Sequence, residues 1–464
     1  MGGQKRFGIA LAIAVAAVAG TMSCSQSAPV TTPRPDAGQP MLTQAQLMDP
    51  QACNDCHRAR LQEWSGSMHA YAGEDPVFLA MNARGQRETG GALGNFCVKC
   101  HAPLALKMGL TKDGLNLASL PKETKGISCY FCHTAGSIDG SNNNPLVLAS
   151  DNVLRGEIQD PSPQFRPHGA VYSPLHDQKS IGSAAMCGGC HDIQNQHGID
   201  IEKTFAEWRN SEFAVLQGSV DNTRTCGACH MPASDGLAAD VPGAPMRKVH
   251  DHSMAGVDIA LTTFADQENQ RALVQKNLDS AVSLKLCVTG TPGANVEVTL
   301  ESQNVGHAWP SGASQDRRAW VEMIATAGTN VVFQTGVVPD GQTVGSIVDP
   351  NLWLLKQTLL DKDSKEVEFM WQALLAGTTV GLKPPLSANP KDPGYAHSVT
   401  RTFDVPLNAD RITAQVRIVP IRQELLDDLA ASGDLDMAVR PRTPTFTLAR
   451  TVSTWTAGGA ACVP

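Results

Sequence analysis

The sequence predicts an α+β chain of two unlike parts: a mainly helical and looped N-terminal half organised around cysteine and histidine, then a C-terminal β-sandwich. Three observations point to it. Five segments of the form C-x-x-C-H fall between Cys53 and His230, and none follows. From Ser283 onward, short runs alternate apolar and polar residues between turn signals, the period of half-buried strands. The length of 464 residues, with 42% hydrophobic and 18% charged, allows several cores and excludes both a disordered chain and a multi-span membrane protein.

The chain begins with Lys5 and Arg6, followed by an apolar run from Phe7 to Gly20. Fourteen residues are too few to span a bilayer, which needs roughly 20, so residues 1–23 read as a secretory signal. Two exits compete. Ala17-Val18-Ala19 suits ordinary cleavage. Thr21-Met22-Ser23-Cys24 resembles a lipoprotein box with Cys24 lipidated, although Thr21 stands where such a box usually carries Leu. Residues 24–48 are rich in Pro, Thr, Ser, Gln and Ala and read as a flexible tether. The expectation is an exported protein of the periplasm or outer membrane, with any membrane attachment made through Cys24. Loss of Lys5 and Arg6 takes the formal charge from −8 to −10. No basic stripe is present, which argues against nucleic acid.

The five motifs are Cys53-x-x-Cys56-His57, Cys97-x-x-Cys100-His101, Cys129-x-x-Cys132-His133, Cys187-x-x-Cys190-His191 and Cys226-x-x-Cys229-His230. This is the c-type haem attachment pattern. Two thiols spaced by two residues match the two vinyl groups on one porphyrin edge, and the next imidazole reaches the iron. With 13 Cys and 13 His in the chain, chance would supply only about 0.01 such motifs. Zinc also uses C-x-x-C pairs, but does not require His after every second Cys. Five covalently attached c-type haems are therefore expected within residues 49–257. So little protein per cofactor makes the haems much of the core, which suits an aromatic content of only 5%. Ten cysteines are used, leaving Cys24, Cys287 and Cys462. With Cys24 lipidated, Cys287 and Cys462 form an even pair in an oxidising compartment, expected as a disulfide.

Glu63-Trp64-x-x-Ser67-x-His69-Ala70 is echoed by Glu207-Trp208-x-x-Ser211-x-Phe213-Ala214, a weak internal repeat expected on helices. Residues 258–282 read as a helical connector and 283–464 as the β-sandwich. Its expected strands are 296–302, 319–325, 330–334, 398–405, 412–419 and 445–452, with a short helix over 422–431.

An iron held only by its motif His keeps a sixth position free, so the remaining histidines matter most. One continuous helix over 57–69 would set His57 and His69 about 18 Å apart, too far to grip one iron, so His69 is expected to reach another haem. The ordered motifs at 63–70, Cys187-Gly-Gly-Cys190-His191-Asp192, 207–214, Cys226-x-x-Cys229-His230-Met231-Pro232 and His252-x-Met254-x-Gly256 resemble the multihaem cytochrome c family. That family includes the tetrahaem cytochromes of nitrifying bacteria and the octahaem tetrathionate-reductase-like proteins. The resemblance implies distal ligands at His69, His252 and His176. Gly306-His307-Ala308-Trp309-Pro310-Ser311-Gly312 resembles a G-H-x-x-P-T-G segment of related proteins with a β-domain, with Ser311 in place of Thr, and implies a fourth at His307. His168 and His250 compete with their neighbours, as do Met68 and Met254, while His197 and His397 suit the surface. Four favoured ligands leave one of five irons unassigned.

Two functions follow. The first is electron transfer through five closely packed, mostly bis-His haems to redox partner proteins, with no catalytic residue of the chain's own. The second is reduction or oxidation of a small nitrogen or sulfur oxyanion at one five-coordinate haem. The sequence holds no C-x-x-C-K and only 4 Tyr, so it carries no positive mark for the second. A third reading, compatible with the first, makes the β-domain a docking module.

Overall fold

A computed structural model describes residues 41–160, 167–215, 224–289, 295–339, 342–387 and 389–464. The leader and Cys24 lie outside these residues.

The motif-bearing half is built of short pieces. Helices α1 (Gln44–Met48), α2 (Asn54–Ser65), α3 (Met68–Tyr71), α4 (Pro76–Glu88), α5 (Val98–His101), α6 (Pro103–Lys107), α7 (Cys129–Thr134), α8 (Gly182–Gly188), α9 (Thr204–Arg209), α10 (Glu212–Val215) and α11 (Cys226–His230) alternate with loops. Between them lie four two-stranded ribbons: β1 (Ala135–Ile138) with β2 (Leu146–Leu148), β3 (Val153–Gly156) with β4 (Gly169–Tyr172), β5 (Ile193–Gln194) with β6 (Asp200–Glu202), and β7 (Ala233–Leu237) with β8 (Met246–His250). Elements this short cannot hold themselves together in water. Their own apolar clusters are small, such as Phe78, Val98, Ala102, Ala105 and Leu117.

The expected continuous helix over 57–69 is broken. Helix α2 kinks at His57, and the chain turns at Gly66 and Ser67 before α3 starts. Ser67 explains the break, because its side chain caps α3 by accepting the Ala70 N–H. The second copy of the motif breaks at the same place, with Ser211 between α9 and α10. At Gly126, φ is +67° and an added Cβ would sit 2.6 Å from the His69 carbonyl oxygen. Only glycine lets this strand of chain pass between the first two motif regions.

Helix α12 (Gln267–Ala281) runs directly into β9 (Val282–Thr289). The remaining strands are β10 (Asn295–Ser302), β11 (Arg318–Ala327), β12 (Asn330–Thr335), β13 (Trp353–Leu360), β14 (Leu375–Val380), β15 (Ser398–Phe403), β16 (Arg411–Val419), β17 (Phe446–Thr447), β18 (Ser453–Thr456) and β19 (Cys462–Val463), with α13 (Gln423–Ala431) after β16. Four form an antiparallel sheet in the order β15-β10-β9-β19, and the others form a larger antiparallel sheet along β14-β13-β11-β16-β17. Alternation drives the pairing: Leu284, Leu286, Val296, Val298 and Leu300 of one sheet bury against Val321, Met323, Ile412, Val416 and Ile418 of the other. The same cluster takes in Val77, Ala80 and Met81 of α4 and Val274 and Leu278 of α12, so the two halves share one core. Cys287 and Cys462 are register partners of β9 and β19, with their sulfurs 2.10 Å apart.

Of the expected strand over 445–452 only Phe446–Thr447 is extended in the sheet; a helical turn at Ala449–Thr451 ends it, and β18 starts beyond it at Ser453. There Thr451 Oγ1 donates to the Leu448 carbonyl and accepts the Val416 N–H, taking over a ladder position. Among the described residues, no helix is long and apolar enough to cross a membrane.

Candidate functional site

Each C-x-x-C-H segment sits on or at the end of a short helix. Helices α7 and α11 are capped by Ser128 and Thr225, whose side chains accept the Phe131 and Ala228 N–H. Those caps set where the following cysteines and histidine project. The motif imidazoles are then oriented by their Nδ1 atoms. His101 donates to the Ala72 carbonyl at 3.0 Å, His133 to Arg155 at 2.6 Å and His230 to Ala255 at 3.0 Å. His191 differs, donating to the Glu202 carboxylate at 2.9 Å. An oxygen of this kind only accepts, so Nδ1 carries a proton, and in the neutral ring Nε2 is the nitrogen left to bind a metal.

The other histidines come to these rings in pairs. Ring centres are 6.5 Å apart for His57 and His168, 6.3 Å for His69 and His191, 6.3 Å for His133 and His252, and 6.4 Å for His230 and His307. His168, His252 and His307 each turn Nδ1 to a nearby carbonyl, of Gly169, His250 and Ala308, which again leaves Nε2 free. Burial pulls His57, His69, His252 and His307 down to about 4, so these rings are neutral, the state that ligates. His101 has no imidazole partner. Its ring neighbour is Phe78, stacked at 4.0 Å and nearly parallel. His176 lies 5.6 Å from His133, but its Nε2 donates to the Cys132 carbonyl and its Nδ1 is buried without a partner. His250 pairs with Glu157 and His397 with Glu301, while His197 lies beside Gln196.

Two imidazoles gripping one iron from opposite sides, at bonds of about 2.0–2.1 Å with each ring centre roughly 1.1 Å beyond its nitrogen, would set their centres about 6.3 Å apart. The ring-centre separations of the four pairs match that span. Motif edges also meet: the free thiols of Cys53 and Cys129, of Cys100 and Cys190, and of Cys187 and Cys226 are neighbours. Among the described residues, no three His, Cys, Asp or Glu gather as a metal cage, the arrangement that C-x-x-C pairs build around zinc.

Residues 52–134, which hold the first three motifs, match the family Cytochrome c554 and c-prime. Over those residues the chain is similar to a family of multihaem c-type cytochromes. The three motifs in that stretch have the form through which c-type haem is attached. The fold is similar to the crystal structure of a penta-heme cytochrome c552 from Thermochromatium tepidum, with 18% identity and a TM-score of 0.61, over 87% of this chain and 97% of that one. No curated protein matches the chain.

The E-W repeat does a job that its spacing did not disclose. Trp64 Nε1 donates to the carbonyl of Ile127, and Trp208 Nε1 to that of Arg224, each two residues before the first cysteine of a motif. Glu63 accepts the His252 N–H, and Glu207 accepts the Ala308 N–H beside His307. Each copy thus ties the approach to one C-x-x-C-H to the loop bearing the histidine opposite it. Glu202 was invisible to sequence reasoning: it lies on β6, 11 residues past His191, in no motif. His168 had a signal only as a histidine without other work.

Proposed function

We propose that the chain carries five c-type haems, four of them held between two imidazoles, and passes electrons among them to redox partner proteins outside the cytoplasm. The observation that carries this reading is the set of four histidine pairs with ring centres 6.3–6.5 Å apart. On this reading His57 and His168, His69 and His191, His133 and His252, and His230 and His307 each hold one iron. Such an iron supplies one-electron chemistry with little change of ligands between its two states. The protein's own part is to fix each imidazole by Nδ1 and to bring the motifs edge to edge. The contacts of Cys53 with Cys129, Cys100 with Cys190 and Cys187 with Cys226 support a connected chain of cofactors. The five motifs and the fold shared with a penta-heme protein support the count. The leader and Cys24 support export and a lipid anchor. A pyridine haemochrome assay should give five haems per mature chain, and electron paramagnetic resonance of the oxidised protein should show four low-spin irons. Three or fewer haems, or mainly high-spin iron, would overturn it.

One observation favours a second role at one position. The iron of Cys97-Cys100-His101 would have an imidazole on one side only, because no second imidazole faces the His101 ring, whose neighbour is Phe78. The buried neighbours of that motif, Phe78, Val98, Ala102, Ala105 and Leu117, are apolar. Such surroundings suit a small neutral diatomic better than an oxyanion, whose charge would be buried without a partner.

A further inference from the structure

We propose that Glu202 makes the haem of Cys187-Cys190-His191 the lowest-potential member of the bis-His set. The inference rests on the ligation just described, with His191 as one ligand of that iron and His69 as the other. Where the Nδ1 partner of a motif imidazole is defined, it is a backbone carbonyl for His101, His133 and His230, and a carboxylate for His191 alone.

The Glu202 carboxylate is built into the fold. Its side chain is 13% exposed, and its Oε1 lies 2.9 Å from His191 Nδ1. Thr204 Oγ1 reaches the same oxygen at 3.3 Å, and Thr204 is itself held by Ser311 Oγ at 2.9 Å and by the Gly312 N–H at 3.1 Å. The loop that carries His307 therefore also steadies the group behind His191.

A carboxylate takes more of the Nδ1 proton than a neutral carbonyl does. The imidazole becomes more basic and donates more electron density through Nε2. That stabilises the oxidised iron over the reduced one, so the iron accepts an electron later than its neighbours. No atom moves and no proton leaves; only the balance between the two iron states changes. The motif cysteines place this haem next to two others, through Cys100 with Cys190 and Cys187 with Cys226. A low-potential centre at that junction acts as a step in the path.

The geometry supplies its own spectral label. The His69 and His191 rings cross at 77°, whereas the other three pairs lie within 38° of parallel. Nearly perpendicular imidazoles give a low-spin signal of unusually large g anisotropy, so this iron can be followed in a mixture. In the wild-type protein, a potentiometric titration read by electron paramagnetic resonance should lose that signal last among the low-spin set. In Glu202→Gln the amide oxygen can still accept from Nδ1 while the charge is gone. That signal should then titrate at a potential raised by at least about 59 mV, a tenfold rise in the reduced-to-oxidised ratio for one electron. Glu202→Asp, which keeps the charge on a shorter arm, should fall between. Haem count and spin state should not change in either variant, which separates this inference from the ligation it assumes. A wild-type titration in which any other low-spin signal outlasts it, or a fully loaded Glu202→Gln that titrates like wild type, would overturn it.

Discussion

Glu63 Oε2 accepts the backbone N–H of His252 at 3.0 Å across 189 residues of sequence. Its other oxygen bonds Arg60, which reaches on to the His250 carbonyl. The loop that presents His252 opposite His133 is thus held from a helix belonging to another motif. Glu207 repeats the arrangement for His307, with Ser311 donating to the same carboxylate at 2.7 Å.

Removing that hold should release a ligand without removing it. Glu63→Ala leaves the His252 N–H without an acceptor at a cost of about 1–3 kcal/mol. One low-spin iron should turn partly high-spin in the oxidised spectrum. Glu63→Gln, which can still accept the N–H, should retain most of the low-spin signal. If Glu63→Ala keeps the full low-spin count in folded protein, the clamp is not what positions His252.

The cysteines outside the motifs give a test of the β-domain. A bond between Cys287 and Cys462 would close a loop with a sequence separation of 175, and losing such a cross-link costs roughly 3–5 kcal/mol. Cys462→Ser should therefore unfold the sandwich at lower denaturant than wild type. Mass spectrometry of the unreduced protein should find neither thiol alkylated. Alkylation at both positions would refute the bond.

How much of this was legible beforehand differs by element. The five attachment motifs are a covalent requirement of fixed spacing, so they read directly. Strands such as β10 and β16 read because each buries one face. The missed strands lack that pattern. In β13, Trp353-Leu354-Leu355 and Leu359-Leu360 put apolar residues on both faces, and β14 is an exposed edge with Gly377 inside it. Strand β9 does alternate, but it follows α12 with no turn residue to mark the change. Ligand pairing was the least legible. His168 and His176 stand eight residues apart with similar surroundings in sequence, and only the fold sends one ring to His57 and ties the other to the Cys132 carbonyl.

His307 brings the β-domain to the last attachment motif. Its ring lies 6.4 Å from that of His230 and 16° from parallel, on a loop outside the strands. His307→Ala should convert one further iron to high spin in the oxidised protein and raise its potential, because one donor is lost. The sandwich itself should melt as in wild type, since the side chain lies outside its core. A mutant with an unchanged low-spin count would reduce the loop to a packing contact.

The His101 site decides between a pure electron carrier and one that also binds a small molecule. All thirteen histidines are described, and none pairs with His101. Its ring is held by the Nδ1 bond to the Ala72 carbonyl and by the stacked face of Phe78, which fixes orientation without supplying a second ligand. On the proposed ligation, with one half-ligated iron, the reduced wild-type protein should bind about one carbon monoxide per chain. His307→Ala should raise that number to two. Phe78→Ala should leave the stoichiometry at one while loosening the ring, which would show as faster ligand dissociation. A fully reduced, fully loaded wild-type protein that binds no carbon monoxide would mean that a non-histidine side chain takes the sixth position, and the second role would fall with it.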